Sequence, residues 1–465
     1  MNMAPIIHGL NEEGSPMQQI ELPSTSRLLT PDFTFGVATA AFQVEGATRA
    51  DGRLPSIWDH FCATEGRIKN GDSGMPACDH YHRWQEDLEL IQGLGVDAYR
   101  LSIAWPRVMT EDGQPNAKGL DFYKRLLDSL RERGITPFVT LYHWDLPQYL
   151  QERGGWLNRD TAYRFQEYVD LVSRELGERV ASYATLNEPW VSAILGHEVG
   201  IHAPGLTDAR LARQAGHHLL LAHGLAMQSL RANAPQSQAG LVLNMGPNTP
   251  HSRRYDDRVA ALVGEAGMNH WFLEPVLEGR YPELYTRLYP EQAPQVLPGD
   301  MELISQPVDF IGINYYTRGV VSYDGEHLIK NHPPENVEVT DFGWEVYPQG
   351  LTDLLVDLNE QYRLPPLMVT ENGMAGDDHL VDGQVHDEQR CRYLNSHLNA
   401  VHHAIEQGVD VRGYFAWSLM DNFEWAEGYS KRFGMVYIDY ETQQRTLKDS
   451  AKAFADFLKS RQTGR

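Results

Sequence analysis

Cysteine is scarce, positive charge is in deficit and long apolar runs are missing from this chain of 465 residues. Its three cysteines, Cys62, Cys78 and Cys391, are odd in number and lack metal-ligand spacing. That argues against a disulfide framework and for free thiols in a reducing compartment, although Cys62 and Cys78 could meet within one loop. Lys and Arg number 40 against 63 Asp and Glu, a formal net charge of −23. Such a surface repels polyphosphate and anionic membranes, so no nucleic-acid partner is expected. No run approaches 18 uninterrupted apolar residues, and the first 28 residues hold neither a basic n-region nor an apolar h-region. The expectation is a cytoplasmic protein without a membrane span. Oligomeric state is unreadable, and a homo-oligomer is compatible with the sequence.

Aromatic residues, in contrast, make up 10% of the chain, with 10 Trp and 22 Tyr. Residues 1–28 are polar and turn-rich and read as a loosely ordered extension; 29–465 read as one catalytic domain. From there strand-like and helix-like segments alternate. Strands are expected at Phe33–Phe42, at Tyr99–Ile103, at Ile135–Tyr142, in the run ending at Glu188, at Gly240–Asn244, at Phe310–Tyr316, in the run ending at Glu371, and at Val411–Trp417. Helices are expected at Tyr81–Leu94, Leu120–Arg133, Ala162–Leu176, His217–Ala232, Asp256–His270, Leu351–Tyr362, Glu388–Gln407 and Lys448–Leu458. Eight such pairs suit an α/β fold closed into a (β/α)8 TIM barrel with extended βα loops better than an open doubly wound sheet. The open sheet would be favoured by a glycine-rich phosphate loop, and Gly36 to Ala41 lacks the spacing.

A barrel gathers its site at the carboxyl ends of its strands. Reading off those ends yields Gln43, Arg100, His143, Trp144, Asn187, Glu188, Asn244, Asn314, Tyr315, Tyr316, Glu371 and Trp417. Two of them stand out. In Thr185-Leu-Asn-Glu-Pro189 and Val369-Thr-Glu-Asn-Gly373 an apolar, β-branched run stops at a carboxylate followed by a turn-forming residue. Each Glu could simply cap the next helix; as a matched pair they suggest acid–base chemistry. Polar side chains with several Trp suit a carbohydrate, whose hydroxyls take hydrogen bonds and whose C–H faces stack on aromatic rings. The His and Glu come from different strands without a close ligand pair, so no metal is expected, and no cofactor.

Five motifs together resemble glycoside hydrolase family 1, the β-glucosidase family. They are the two just quoted, Leu141-Tyr-His-Trp-Asp-Leu-Pro147, Tyr99-Arg-Leu-Ser-Ile-Ala-Trp-Pro-Arg107 and Tyr414-Phe-Ala-Trp-Ser-Leu-Met-Asp-Asn-Phe-Glu-Trp425. The resemblance runs from about Phe33 to about Leu458. It implies a retaining β-glycosidase, with Glu188 as general acid/base and Glu371 as nucleophile. Arg100, Asn314 and Tyr316 would support the nucleophile; Gln43, His143, Trp144, Asn187, Glu424 and Trp425 would hold the terminal sugar, Trp417 would floor its ring and Trp344 would wall the aglycone. The implied substrates are small β-glucosides and cello-oligosaccharides, with galactosyl or fucosyl residues as further options, and cellulose degradation as the setting. A 6-phosphoglycosidase would carry Ser at 424 and Tyr at 433, where this chain has Glu424 and Phe433 beside Lys431; Glu424 is expected to repel a phosphate. A plant-type thioglucosidase would carry Gln at 188. A catalytically dead sugar-binding protein is the remaining alternative.

Overall fold

The structure, a computed structural model, describes residues 19–326 and 328–463. Eight parallel strands close into a barrel. They are β1 (Thr34–Ala38), β2 (Ala98–Ser102), β3 (Thr136–Thr140), β4 (Ser182–Asn187), β5 (Gln238–Asn244), β6 (Phe310–Asn314), β7 (Leu367–Asn372) and β8 (Val411–Trp417). Each pairs with its sequence neighbours, and β1 closes the ring by pairing with both β2 and β8, for example Gly36 with Ala98 and Thr34 with Gly413. Long helices fill the connections, among them His80–Leu94, Ala117–Glu132, Asp160–Leu176, Ala209–Asn233, Pro348–Gln361 and Glu388–Glu406.

The strands are buried on both faces, as parallel strands under helices must be; β2 and β4 are buried at every residue. Side chains facing outward join the main core with the helices, while Ala38, Ala98, Phe138, Met368 and Phe415 fill the barrel interior. Large and small residues alternate there: a Cβ at Gly36 would collide with the Phe415 ring, so the absence of a side chain at 36 lets Phe415 cross the axis.

Several boundaries differ from the sequence reading. β1 stops at Ala38, and Ala41–Val44 is a helical turn whose first amide N–H donates to Ser102 Oγ, 2.7 Å away. The expected strand to Phe42 therefore runs too far; a short run of Ala and Phe does not discriminate the two periods. Helix 209–233 begins eight residues before His217 because Asp208 caps it, accepting from Arg210 N. Of the expected extension, residues 1–18 lie outside the described residues. Within residues 19–28, Ile20, Ser26 and Leu28 are buried and the Glu21 backbone hydrogen-bonds to Asn395 and Asn399, while residues 23–25 are exposed. All three thiols are free, so Cys62 and Cys78 are not bridged, and burial pushes Cys62 and Cys391 up to about 12. Among the described residues no helix is long and apolar enough to cross a membrane.

Candidate active site

The strand carrying Glu371 and the strand leading to Glu188 each slip register just before the barrel mouth. On β7, Val369 pairs with Ile313 and Glu371 with Asn314; on β4, Ala184 pairs with Gly240 and Asn187 with Val242. In both cases one extra residue stands opposite the partner strand. Such a bulge turns the following side chains relative to strict alternation, and here it aims Glu371 and Asn187 inward. Glu188 itself has φ 49°, in the left-handed region, as do Trp144 (79°) and Trp425 (50°). Non-glycine residues pay strain there, and three of them meet at one mouth.

Around these strand ends the polar side chains form a directional chain. Arg100 donates from Nη1 to Glu371 Oε1 (2.8 Å) and from Nη2 to Asn187 Oδ1 (2.7 Å). Tyr316 donates its hydroxyl to the other oxygen of Glu371 at 2.7 Å. Asn314 Nδ2 donates to Glu188 Oε1 (2.7 Å) and to Asn187 Oδ1 (3.0 Å). Since Asn187 Oδ1 is taken by two donors, its amide nitrogen faces His143 Nε2, 3.1 Å away. Burial, and the Arg100 charge, hold His143 well below the usual imidazole range. It is neutral, Nε2 accepts, and the proton sits on Nδ1, which is buried without a partner.

The two glutamates sit in unlike surroundings. Glu371 accepts from a guanidinium on one oxygen and from a phenol on the other. Glu188 is pushed well above the carboxylate range, first by burial and then by the charge of Glu371, with the Asn314 hydrogen bond opposing. A third carboxyl, Glu424, is raised to about 8 by burial and by Glu371. Its ionised form is therefore disfavoured, which weakens the expected repulsion of a phosphate by its charge. Gln43 Nε2 holds Asn422 Oδ1 (3.0 Å) and Phe423 O (2.9 Å), leaving Gln43 Oε1 buried and unpartnered. Gln43 Oε1 and His143 Nδ1 thus stand ready, one acceptor and one donor, for a ligand rich in hydroxyls.

Aromatic rings complete the mouth. Trp417 ends β8 and lies parallel to His143 at 6.0 Å. Trp425 stacks on Phe42 at 6.0 Å and leans on Trp58 and Trp144. Trp344 stacks on Phe342 at 4.2 Å and borders Tyr316 and Phe433. Trp144 is buried beside Trp425, and its indole N–H donates to Asn187 O at 2.8 Å, which ties it to Asn187. Lys431 is likewise engaged, donating to Asp341 O (2.6 Å) and Oδ2 (2.9 Å), and Phe433 is buried. A phosphate would find no free cation in this pair.

Sequence reasoning overlooked Thr370, Asn422, Phe342 and the rings beneath Trp425. Thr370 sits inside a quoted motif and Phe342 is two residues before Trp344, so each had a local signal; the buttress of Phe42 and Trp58 had none. No group of three or more metal-ligating side chains occurs among the described residues.

A closed parallel barrel holding two unlike carboxyls, neutral hydrogen-bonding groups and aromatic walls at its mouth is the architecture of a barrel hydrolase acting on an uncharged polyhydroxyl ligand. The profile of glycosyl hydrolase family 1 matches residues 25–463, and the chain belongs to that family. It is 47% identical to "Beta-glucosidase A" of Thermotoga maritima over 92% of this chain and 97% of the relative. It is 48% identical to a "Bifunctional beta-D-glucosidase/beta-D-fucosidase" of Bifidobacterium breve, again over 92% and 97%. Among solved structures it is similar to the AHE enzyme of Alicyclobacillus herbarius (TM-score 0.91, 47% identity, 96% and 98% coverage). It is also similar to a Thermotoga maritima family 1 glycoside hydrolase in complex with a cyclophellitol analogue that mimics the transition state (TM-score 0.90, 46% identity, 93% and 98% coverage).

Proposed function

We propose that the chain is a retaining β-glucosidase that removes the terminal non-reducing β-D-glucosyl residue from small β-glucosides and cello-oligosaccharides. The observation that carries this reading is the unlike environment of two buried carboxyls. Glu371, held by Arg100 and Tyr316, is the nucleophile, and Glu188, buried beside that negative charge, is the proton donor.

In the first step Glu371 attacks the anomeric carbon from the face opposite the leaving group, while Glu188 gives its proton to the departing oxygen. The carboxylate of Glu371 becomes a neutral ester. Its repulsion of a charge on Glu188 is lost, so Glu188 now holds the ionised form more easily and removes a proton from the incoming water. Attack of that water on the opposite face releases β-glucose, and Glu371 is an anion again. Gln43, His143, Asn187, Glu424 and Trp425 hold the sugar hydroxyls, Trp417 lies under the ring, and Trp344 with Phe342 borders the leaving group.

A galactosyl or fucosyl residue is the second option, supported by the name of the Bifidobacterium breve relative. A 6-phosphoglucoside is disfavoured by Lys431, which is committed to Asp341, and by Phe433. The free thiols support a reducing, cytoplasmic setting, and cello-oligosaccharides a place in cellulose breakdown. The test is to incubate the enzyme with 2,4-dinitrophenyl 2-deoxy-2-fluoro-β-glucoside. One glucosyl adduct on the peptide containing Glu371 is expected; labelling elsewhere, or turnover without trapping, would sink the assignment.

A further inference from the structure

We propose that the Thr370 hydroxyl is a positioning group that holds the Asn314 amide with its nitrogen toward Glu188. This rests on the acid/base reading of Glu188. Thr370 Oγ1 lies 2.7 Å from Asn314 Oδ1, and because an amide oxygen only accepts, the hydroxyl must donate. That anchors Asn314 with Nδ2 toward Glu188 Oε1 and Asn187 Oδ1. Asn187 in turn keeps its nitrogen on His143 Nε2, leaving the His143 proton on the open Nδ1. The hydroxyl therefore fixes the sense of the hydrogen bond to the acid/base, while Arg100 fixes that of Asn187 and, through it, His143.

Thr370 owes its place to the partner strand. A Cβ on Gly312 would come within 2.7 Å of both Thr370 Oγ1 and Cγ2, so glycine leaves the space the side chain occupies. Thr370 is buried, and its carbonyl accepts from Arg100 Nη1 at 3.3 Å. Without the hydroxyl, Asn314 Oδ1 loses its donor, and the 3.0 Å contact from Nδ2 to Asn187 Oδ1 is what still opposes a turn of the amide oxygen toward Glu188. A protonated Glu188 would donate to that oxygen, whereas an ionised one would lose its hydrogen bond, so the proton would be held more tightly. The other groups facing Glu188 are Glu371, Arg100, Glu424 and the Tyr316 phenol, and Thr370→Val changes none of their charges.

The experiment compares wild type, Thr370→Val and Thr370→Ser by kcat/KM against pH on cellobiose and by kcat and KM on 2,4-dinitrophenyl β-glucoside. In Thr370→Val the basic limb should move up by roughly half a pH unit or more. On the dinitrophenyl substrate kcat and KM should fall together below the raised pKa, because a smaller fraction of Glu188 is ionised to take the proton of water and the glycosyl-enzyme accumulates. Thr370→Ser should restore both. A role confined to packing would lower Tm and leave the basic limb in place. Superimposed pH profiles, or a serine variant displaced as far as the valine one, overturn the proposal; Thr370→Ala replaces valine if that variant does not fold. A wild type with no basic limb would instead overturn the assignment of Glu188, and Thr370 with it.

Discussion

Two clusters of buried charge lie at the same end of this barrel, and they reach neutrality by opposite means. Behind the β7 and β8 loops, Arg390 pairs with Asp378 (2.8 Å) and Asp387 (2.5 Å), Lys448 with Asp378 (2.6 Å) and Asp421 (2.7 Å), and Arg432 with Asp421 (2.6 Å). That is three cations for three carboxylates. Although burial pushes Asp378 upward, Arg390 and Lys448 outweigh it and hold the group at about 2. At the mouth that holds Glu371, Glu188 and Glu424, Arg100 pairs with Glu371, and the two carboxyls it does not pair with are raised. The bracing cluster is balanced by counter-ions. The catalytic one is balanced by protons, and a proton can leave.

The comparison breaks most visibly at Glu371. Glu371→Gln should lower kcat by about 10³-fold or more. Azide should partly restore turnover as the α-glucosyl azide, since the anion enters on the face of the missing nucleophile. A β-configured azide product would contradict the role. Glu188→Ala should be selective: the loss on cellobiose should be about 10²- to 10⁴-fold, and far smaller in the glycosylation of dinitrophenyl glucoside, whose leaving group needs little protonation. Equal losses would remove Glu188 from the proton-donor role. Because no cation is paired to Glu188, Glu188→Gln should leave Tm unchanged or raise it.

Removing an acid from the balanced cluster should do the reverse. Asp378→Ala leaves three buried cations facing two carboxylates and should cost about 3–5 kcal/mol of stability in a denaturant titration, with kcat/KM of the folded fraction little altered. Retained stability would mean that the network is ornamental. The smallest effect is in the pH dependence. Asp378 is depressed, so its contribution is complete above its unfolded value of 3.8 and is lost as pH falls toward about 2. Glu424 is raised, so its contribution is complete below 4.5 and is lost as pH rises through about 8. Acid should therefore loosen the brace and alkali the mouth. Glu424→Gln, which cannot ionise, should flatten the decline in stability between pH 4.5 and 8, and a slope equal to that of wild type would show that Glu424 is not held neutral.

The residues of the mouth were largely legible because they end apolar runs: a polar or aromatic residue closing a buried strand stands out against its neighbours, as Asn187, Asn314, Glu371 and Trp417 do, whereas Arg100 lies in the middle of β2. Trp144 also closes such a run, yet its left-handed backbone turns the indole onto Asn187 O, and backbone sign is not written in residue type. The balanced cluster was invisible for another reason. Its members come from three separate loops and two helix starts, and a salt bridge between distant residues leaves no periodicity.

What the sequence by itself determined is the ordered set of eight strand and helix units and the kind of side chain closing each strand, because burial on both faces demands continuous apolar runs and only their ends admit polar groups. Tertiary structure decided where those side chains point and what they carry. The register slips on β4 and β7 depend on the neighbouring strands, and they alone bring Glu371 and Asn187 inward. The protons on Glu188 and Glu424 depend on burial beside Glu371, from 183 and 53 residues away in the chain by their numbering. A carboxyl's charge is set by the dielectric and the charges around it, and those exist only once the barrel has closed.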